Sequence, residues 1–238
     1  MKLTIKRIFM RAFYVMILTA IAALAVAIVK PMLALSTIAP AIAYLLYIWR
    51  KEKVEREPLI GLYAAFSYGF TVSVVLALAL SILIIQLLQI QNAILITILI
   101  SPTIEEISKL IGVIAIARVR GLLNEIDDGI IYGASAGLGF SAFENMMYAY
   151  RATDPILVGL LRAISSTAAH AASTAIAGYG YAKATISPNV ENSLSGYLII
   201  AIALHATHNA IAMIHEALIP IIIAFDLLAL AYILSKIE

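Results

Sequence analysis

The sequence predicts an all-α fold, a polytopic bundle of about eight transmembrane helices with both termini in the cytoplasm. Of its 238 residues, 63% are hydrophobic and 13% are charged, whereas soluble domains have about 45–50% and about 25%. The apolar residues form long runs, several of them near the ~20 residues that cross a bilayer as a helix. Such runs are expected to be helices, because backbone polar groups in lipid must bond one another.

Charged, polar or proline-containing segments separate the predicted spans. The connections include RKEKVEREP (50–58), QIQN (89–92), RVRGLLNEIDD (118–128) and KATISPNVENS (183–193), the last with turn chemistry at Pro188 and Asn189. The predicted spans are 8–29, 31–49, 59–88, 93–117, 129–150, 156–182, 194–214 and 218–235. We divide this single membrane domain into residues 1–92, with three helices and a loop, and residues 93–238, the helices of the candidate catalytic core.

The first apolar run is interpreted as a retained span. It is longer than the apolar region of a signal peptide, and no small-residue cleavage site closes it before Lys30. With the N-terminus in the cytoplasm, twelve Lys and Arg residues fall on the inner side and only Lys30 and Arg151 on the outer side, which fits the positive-inside rule. The absence of cysteine excludes disulfides, thiol catalysis and thiolate metal sites.

Ionisable residues occupy the middle of four predicted spans, where each buried charge costs on the order of 3 kcal/mol. They are, with their polar neighbours, Glu105, Glu106 and Lys109 in the fourth span, Glu144 and Asn145 in the fifth, Arg162 and His170 in the sixth, and His205, His208 and Asn209 in the seventh. At about 1.5 Å per residue, a carboxylate or imidazole on each helix lies roughly 16–22 Å from the end of its span. We therefore expect Glu105, Glu144, His170 and His205 to meet at one depth.

Helical spacing refines these roles. Glu106 and Lys109 stand at i,i+3 and are expected to form a structural ion pair, while Glu105 lies on another face and stays available for chemistry. His205 and Asn209 stand at i,i+4 on one face. Other expected structural residues are Arg162 as a partner for a carboxylate, Asp127 and Asp128 as helix caps, and Gly133, Gly137, Gly139, Gly178 and Gly180 as helix-packing positions.

Two carboxylates and two imidazoles in a wet cavity can activate water. A glutamate among apolar helices is suited to act as a general base, and His205 with Asn209 offers donors to a developing oxyanion. The same set, Glu105, Glu144, His170 and His205, can instead bind zinc with an open position for water, and spacing does not choose between the two. A proton-coupled transporter or channel and a catalytically silent protein are the alternatives.

Four short motifs resemble those of the PrsW family of membrane proteases. Glu105-Glu106-Ile107-Ser108-Lys109 is similar to the E-E-x-x-K motif of that family. The stretch DDGIIYGASAGLGFSAFENMMYA (127–149) resembles the second motif through Phe140, Glu144 and Asn145. His170 followed by Gly178 resembles the third, and His205-Ala206-Thr207-His208-Asn209 resembles the fourth, H-x-x-x-N. Order and spacing agree across about residues 100–210.

The resemblance implies an intramembrane endopeptidase related to the CAAX prenyl endopeptidases and bacteriocin-processing proteins. In the CAAX relatives the glutamate corresponding to Glu105 activates water, and the residues corresponding to His205 and Asn209 stabilise the oxyanion. Their second motif ends in histidine where this chain has Glu144, so their mechanism does not transfer directly. PrsW proteins are commonly classed as metalloproteases, which leaves zinc open as a cofactor.

The resemblance also sets expectations for the site residues, the partners and the location of the protein. We expect catalysis by Glu105, Glu144, His170, His205 and Asn209. Glu106, Lys109 and Asn145 are expected to support them. The expected substrate is a protein or peptide with a membrane segment, the surroundings are membrane lipid, and no nucleic acid is involved. The expected location is a prokaryotic plasma membrane.

Overall fold

The computed structural model describes residues 2–53, 55–119, 121–187 and 194–237, with the side chains from residue 12 onward. Its helices form eight segments in the described residues, as predicted. They are α1 (Lys2–Val29), α2 (Pro31–Lys51), α3 (Leu59–Leu87), α4 (93–117), α5 (Ile126–Arg151), α6 (Pro155–Ile186), α7 (Leu194–Ile214) and α8 (Ile219–Leu234). The predicted turn at Pro188 and Asn189 lies outside the described residues.

Six of the eight segments are long and apolar enough to cross a membrane, namely all except α4 and α5. Those two contain several polar residues of the candidate site, and α6 and α7 contain the others. Glu105, Glu106 and Lys109 stand within five positions of α4, while α5 is rich in glycine and serine and contains Glu144.

The direction of each helix across the membrane stays a prediction. Lys30 Nζ lies 4.5 Å from the ring centre of Tyr150, which places the two predicted outer basic positions at the same end of the bundle.

Three local irregularities interrupt the helices. π-Helical stretches run through Tyr68–Ser73 in α3 and Ile96–Ile100 in α4. α6 consists of Pro155–Ile164 and Ser166–Ile186, joined at Ser165. Apolar periodicity does not reveal such features, although serine pairs are frequent at helix breaks. A short 3₁₀ turn, Glu216–Leu218, separates the last two helices as expected near Pro220.

α5 is the central helix and packs against α2, α3, α4 and α6. A Cβ at Gly133 would lie 2.4 Å from the Thr174 carbonyl oxygen on α6, and a Cβ at Gly139 would lie 1.9 Å from the Phe66 carbonyl oxygen on α3. Only glycine allows these backbones to approach so closely. The predicted packing role of the glycines is thus confirmed, and the tight contacts fix the heights of α3, α5 and α6 relative to one another.

The capping prediction for α5 needs one correction. Its N-cap is Glu125, and Asp128 completes a capping box by accepting the Glu125 backbone N–H at 2.8 Å. α5 therefore begins three residues earlier than position 129, the predicted start. An acidic side chain in the first turn also interacts favourably with the positive end of the helix dipole.

Candidate active site

Glu106 and Lys109 form a fully buried ion pair on α4, with 2.7 Å between Nζ and Oε1, which confirms the i,i+3 prediction. α6 adds two hydroxyl donors to the Glu106 carboxylate, Ser173 Oγ at 3.0 Å and Thr174 Oγ1 at 2.9 Å. The sequence interpretation missed these two partners. Buried charges persist when they are paired and hydrogen-bonded, and this carboxylate meets both conditions.

His205 on α7 points its two ring nitrogens at the two glutamates of α4. Its Nδ1 lies 2.8 Å from Glu106 Oε1, and its Nε2 lies 3.7 Å from Glu105 Oε2. Since an ionised carboxylate can only accept hydrogen bonds, Nδ1 carries the proton and donates it to Glu106. In this tautomer Nε2 presents a lone pair towards Glu105.

Glu105 has the least satisfied carboxylate of the group. Its Oε2 is buried and has no hydrogen-bond partner within the described residues. His205 Nε2 at 3.7 Å and Lys109 Nζ at 3.9 Å lie near it but beyond hydrogen-bonding distance. Because Glu106 already holds the lysine, Glu105 keeps an oxygen free to accept a proton or bind a ligand.

His170 on α6 is held on both sides. Lys109 Nζ lies 2.7 Å from Nδ1, and Glu144 Oε2 lies 2.9 Å from Nε2. The ammonium can only donate, so Nδ1 is the acceptor and Nε2–H donates to Glu144. The His170 and His205 rings meet edge to face with centroids 4.6 Å apart, which brings the two imidazoles together as the depth estimate predicted.

Glu144 on α5 is paired with Arg162, whose Nη2 lies 2.7 Å from Oε2. The same guanidinium donates from Nε to Asn145 Oδ1 at 2.8 Å, and its planar fork thereby fixes two neighbouring side chains. Arg162 stands in the last turn before the break in α6, and its side chain reaches α5 from there. The prediction of a structural partner for a carboxylate is confirmed.

Asn209 is oriented by the π-helical stretch of α4. Its side-chain N–H donates to the Thr97 carbonyl oxygen at 2.9 Å, so the structure places it against the α4 backbone, one turn from His205. The neighbouring His208 binds Asp226 of α8, with 2.8 Å between Nδ1 and Oδ2. The sequence interpretation overlooked Asp226, although an acid inside an apolar span is itself a signal of a buried partner.

A cavity of about 390 Å³ leads to the two acidic side chains of the site. Glu105 and Glu144 lie in its wall, and apolar residues of α3 and α5 form most of the remainder. It extends along α5 to Tyr148 and Arg151, at the end of that helix. A mainly apolar cavity with a few convergent polar groups is the usual form of a ligand site.

Glu105, His170 and His205 also offer ligand atoms within 4.8 Å of one another. One carboxylate and two imidazoles suit zinc, and the unpartnered Glu105 oxygen and the Nε2 lone pair of His205 are ready donors. His205 also has the carboxylate partner on its other nitrogen that zinc-binding histidines commonly have. His170 has both nitrogens engaged, so it would have to exchange one contact for the metal.

Comparisons with known proteins show which proteins this chain is similar to. The profile of a family described as PrsW family intramembrane metalloprotease matches residues 57–235. The chain is 30% identical over 189 residues to Protease PrsW of Clostridioides difficile (strain 630), covering 76% of this chain and 79% of that protein. It is 28% identical over 187 residues to Protease PrsW of Bacillus subtilis (strain 168), covering 73% and 79%. No solved structure matches this chain.

Proposed function

Because this chain belongs to the PrsW family of intramembrane metalloproteases, we propose that it hydrolyses peptide bonds of membrane-associated proteins with a water activated by Glu105. The observation that carries the proposal is that Glu105, a residue of the cavity wall, has an oxygen without a partner among the described residues, 3.7 Å from His205 Nε2. Among the described residues, no comparable observation favours the two alternatives, a proton-coupled transporter or channel and a catalytically silent protein.

The first step is the addition of water to the substrate carbonyl. Glu105 accepts a proton from the water, and the hydroxide oxygen bonds to the carbonyl carbon, which leaves the negative charge on the carbonyl oxygen. Glu144 borders the same cavity and is held by Arg162 and His170, so it is placed to orient the water. An amide nitrogen carries two N–H groups, and Asn209 uses one for Thr97, which leaves the second for the oxyanion.

The second step is the departure of the amine. The proton taken by Glu105 passes to His205 Nε2, and the imidazolium then donates it to the leaving nitrogen as the carbon–nitrogen bond breaks. Glu106 accepts from the opposite nitrogen of His205, so it stabilises the imidazolium as the carboxylate of a catalytic triad does. Lys109, Ser173 and Thr174 hold Glu106 in place for this task.

The residues present also fit a zinc ion, with Glu105, His170 and His205 as its ligands. When bound, such an ion would polarise the substrate carbonyl and lower the pKa of its water to about 7. The protein's own contribution would be to orient His205 through Glu106 and to keep Glu144 beside the reacting water.

The proposal is tested with purified protein in lipid and a library of peptides that span the membrane. Glu105→Gln and His205→Ala should reduce cleavage at least about 100-fold, as expected for a base and a proton carrier. Glu216→Gln, an exposed acid between the last two helices, is the matched control and should cleave like the parent. Cleavage by Glu105→Gln at the parental rate would refute the assignment.

Metal analysis of the same preparations separates the two forms of the chemistry. Activity that persists in metal-free protein supports Glu105 as the base. Loss of activity on chelation, with recovery on adding zinc, would contradict water activation by Glu105 alone.

We further propose a prokaryotic plasma membrane as the location and proteins with a membrane segment as the substrates, in keeping with the bacterial relatives.

A further inference from the structure

Three buried carboxyl groups meet far from the candidate active site, where the α2–α3 connection lies against the first turn of α5. Glu52, Glu57 and Asp128 are only 1%, 4% and 1% exposed. Each offers one oxygen, and these three oxygens lie within 4.8 Å of one another. Asp128 precedes Glu144 by sixteen residues, about 24 Å along α5, so this acidic triad is separate from the cavity described above.

Each carboxylate of the acidic triad is anchored by one of its oxygens. The Glu57 backbone N–H donates to Glu52 Oε2 at 2.5 Å, and the Tyr132 hydroxyl donates to Glu57 Oε2. Two backbone N–H groups of the connection before α5 donate to Asp128 Oδ2 at 2.7 and 2.8 Å. These bonds fix the orientation of the side chains, as outer partners do for carboxylates that bind metals.

The remaining oxygens of two of these groups have no donor among the described residues. Glu52 Oε1 and Asp128 Oδ1 are buried without a hydrogen-bond partner in the part of the chain that the structure describes. Among the described residues, no Lys or Arg forms an ion pair with any member of the triad. A buried acceptor without a donor costs about 1–3 kcal/mol, and more when it is charged. The described side chains therefore supply no positive partner for these carboxylates.

The electrostatics point the same way. Burial, with the neighbouring carboxylates adding to it, raises the pKa of Glu52 to about 7. Burial also raises the pKa of Glu57 to about 8. Glu125 and Asp127 bring two further carboxylates to Asp128. The carboxylates thus repel one another in their ionised forms.

We propose that Glu52, Glu57 and Asp128 bind a hard divalent cation of the Mg²⁺ or Ca²⁺ class, which fastens the α2–α3 connection to the start of α5. All three ligands are carboxylate oxygens, the donor type that these cations prefer over nitrogen or sulfur. A bound cation satisfies both unpartnered oxygens and offsets the repulsion among the carboxylates. The site is distinct from the catalytic one and does not depend on the proposed proteolysis.

Terbium luminescence tests the site directly, because Tb³⁺ is a hard cation that binds oxygen ligands. Trp49 is the one tryptophan of the chain, and its indole N–H donates to the Glu57 carbonyl oxygen at 2.9 Å. Excitation of Trp49 in the purified full-length protein should therefore sensitise saturable Tb³⁺ emission. Mg²⁺ and Ca²⁺ added in turn should displace it, and the ion effective at lower concentration identifies the preferred cation. Trp49→Phe should lose the emission.

Removing one ligand charge gives the discriminating comparison. Glu52→Gln and Asp128→Asn should each weaken Tb³⁺ binding by about tenfold or more, since the ligand charge count sets affinity at such sites. Glu55→Gln is the matched control, because Glu55 lies in the same connection but is exposed. It should bind Tb³⁺ like the parent.

Absence of sensitised emission, or equal Tb³⁺ affinity in Glu52→Gln and the parent, would overturn the proposal in favour of carboxyl groups that share protons. If the ligand variants fail to fold, the parent protein still decides the question. Its melting temperature should rise with added Mg²⁺ or Ca²⁺, because a ligand bound to the folded state stabilises it. A melting temperature that responds to neither ion would refute the site.

Discussion

Replacing Gly137 with alanine should separate α5 from α6 at the height of the active site. A Cβ there would lie 2.2 Å from the His170 carbonyl oxygen and 2.7 Å from its carbonyl carbon, whereas ordinary contact begins at 3.4 Å. The two backbones must therefore part by about 1.2 Å, which shifts His170 relative to Glu144. A displacement of about 1 Å in a catalytic arrangement can reduce activity about 100-fold.

The matched control is Gly129→Ala, on the same pair of helices. Its Cβ would lie 2.3 Å from the Gly178 carbonyl oxygen, an almost equal clash, but Gly178 is eight residues from His170, about 12 Å along α6. Overpacking costs about 1–3 kcal/mol in each variant, and the gain in helix propensity is the same for both. Thermal unfolding should therefore show similar losses of stability.

Cleavage of the best library peptide, measured per folded protein in lipid, distinguishes the two variants. Gly137→Ala should lose about 100-fold and Gly129→Ala less than about tenfold. If both variants retain the same activity, the position of His170 does not control the reaction, and the mechanism proposed for this site is wrong.

Three further predictions concern other buried charges. Arg162→Lys should reduce cleavage about tenfold or more with the fold intact, because an ammonium cannot reproduce the forked bonds to Glu144 and the adjacent asparagine; parental activity would contradict this. Asp226→Asn should lower the free energy of unfolding by about 1–3 kcal/mol by weakening the bond to His208, and replacing both residues with leucine should recover much of it; denaturation series measure both effects. When a chelator keeps the protein free of divalent cations, the free energy of unfolding should fall as pH rises from about 5 to 8. The reason is that the folded state keeps protons on Glu52 and Glu57, whose pKa values are about 7 and 8, whereas the unfolded chain has already released these protons. Glu52→Gln should flatten that slope in unfolding curves recorded across the pH range.

The amino-acid sequence alone predicted the helices and the common height at which the ionisable groups of four helices meet. Both follow from information local to the chain, since an apolar run long enough to cross a bilayer must be helical and its rise per residue is fixed. The pairing of Glu106 with Lys109 was equally predictable, because residues at i,i+3 on one helix are neighbours whatever surrounds them. The glycines likewise indicated close helix contacts through their small size.

The partners that each side chain has on other helices became known from the three-dimensional structure. The rotation of each helix about its axis and the break at Ser165 determine whether a side chain faces a neighbouring helix or the cavity. The periodicity of apolar residues in the sequence predicts neither of them. For this reason Ser173 and Thr174 emerged as donors to Glu106, and Asn209 was found against Thr97. The Glu106 carboxylate thereby has its hydrogen-bond partners, whereas one oxygen of Glu105 has none among the described residues. The sequence predicted two neighbouring glutamates in the middle of one helix, and the packing of α6 and α7 around them gave each glutamate different partners.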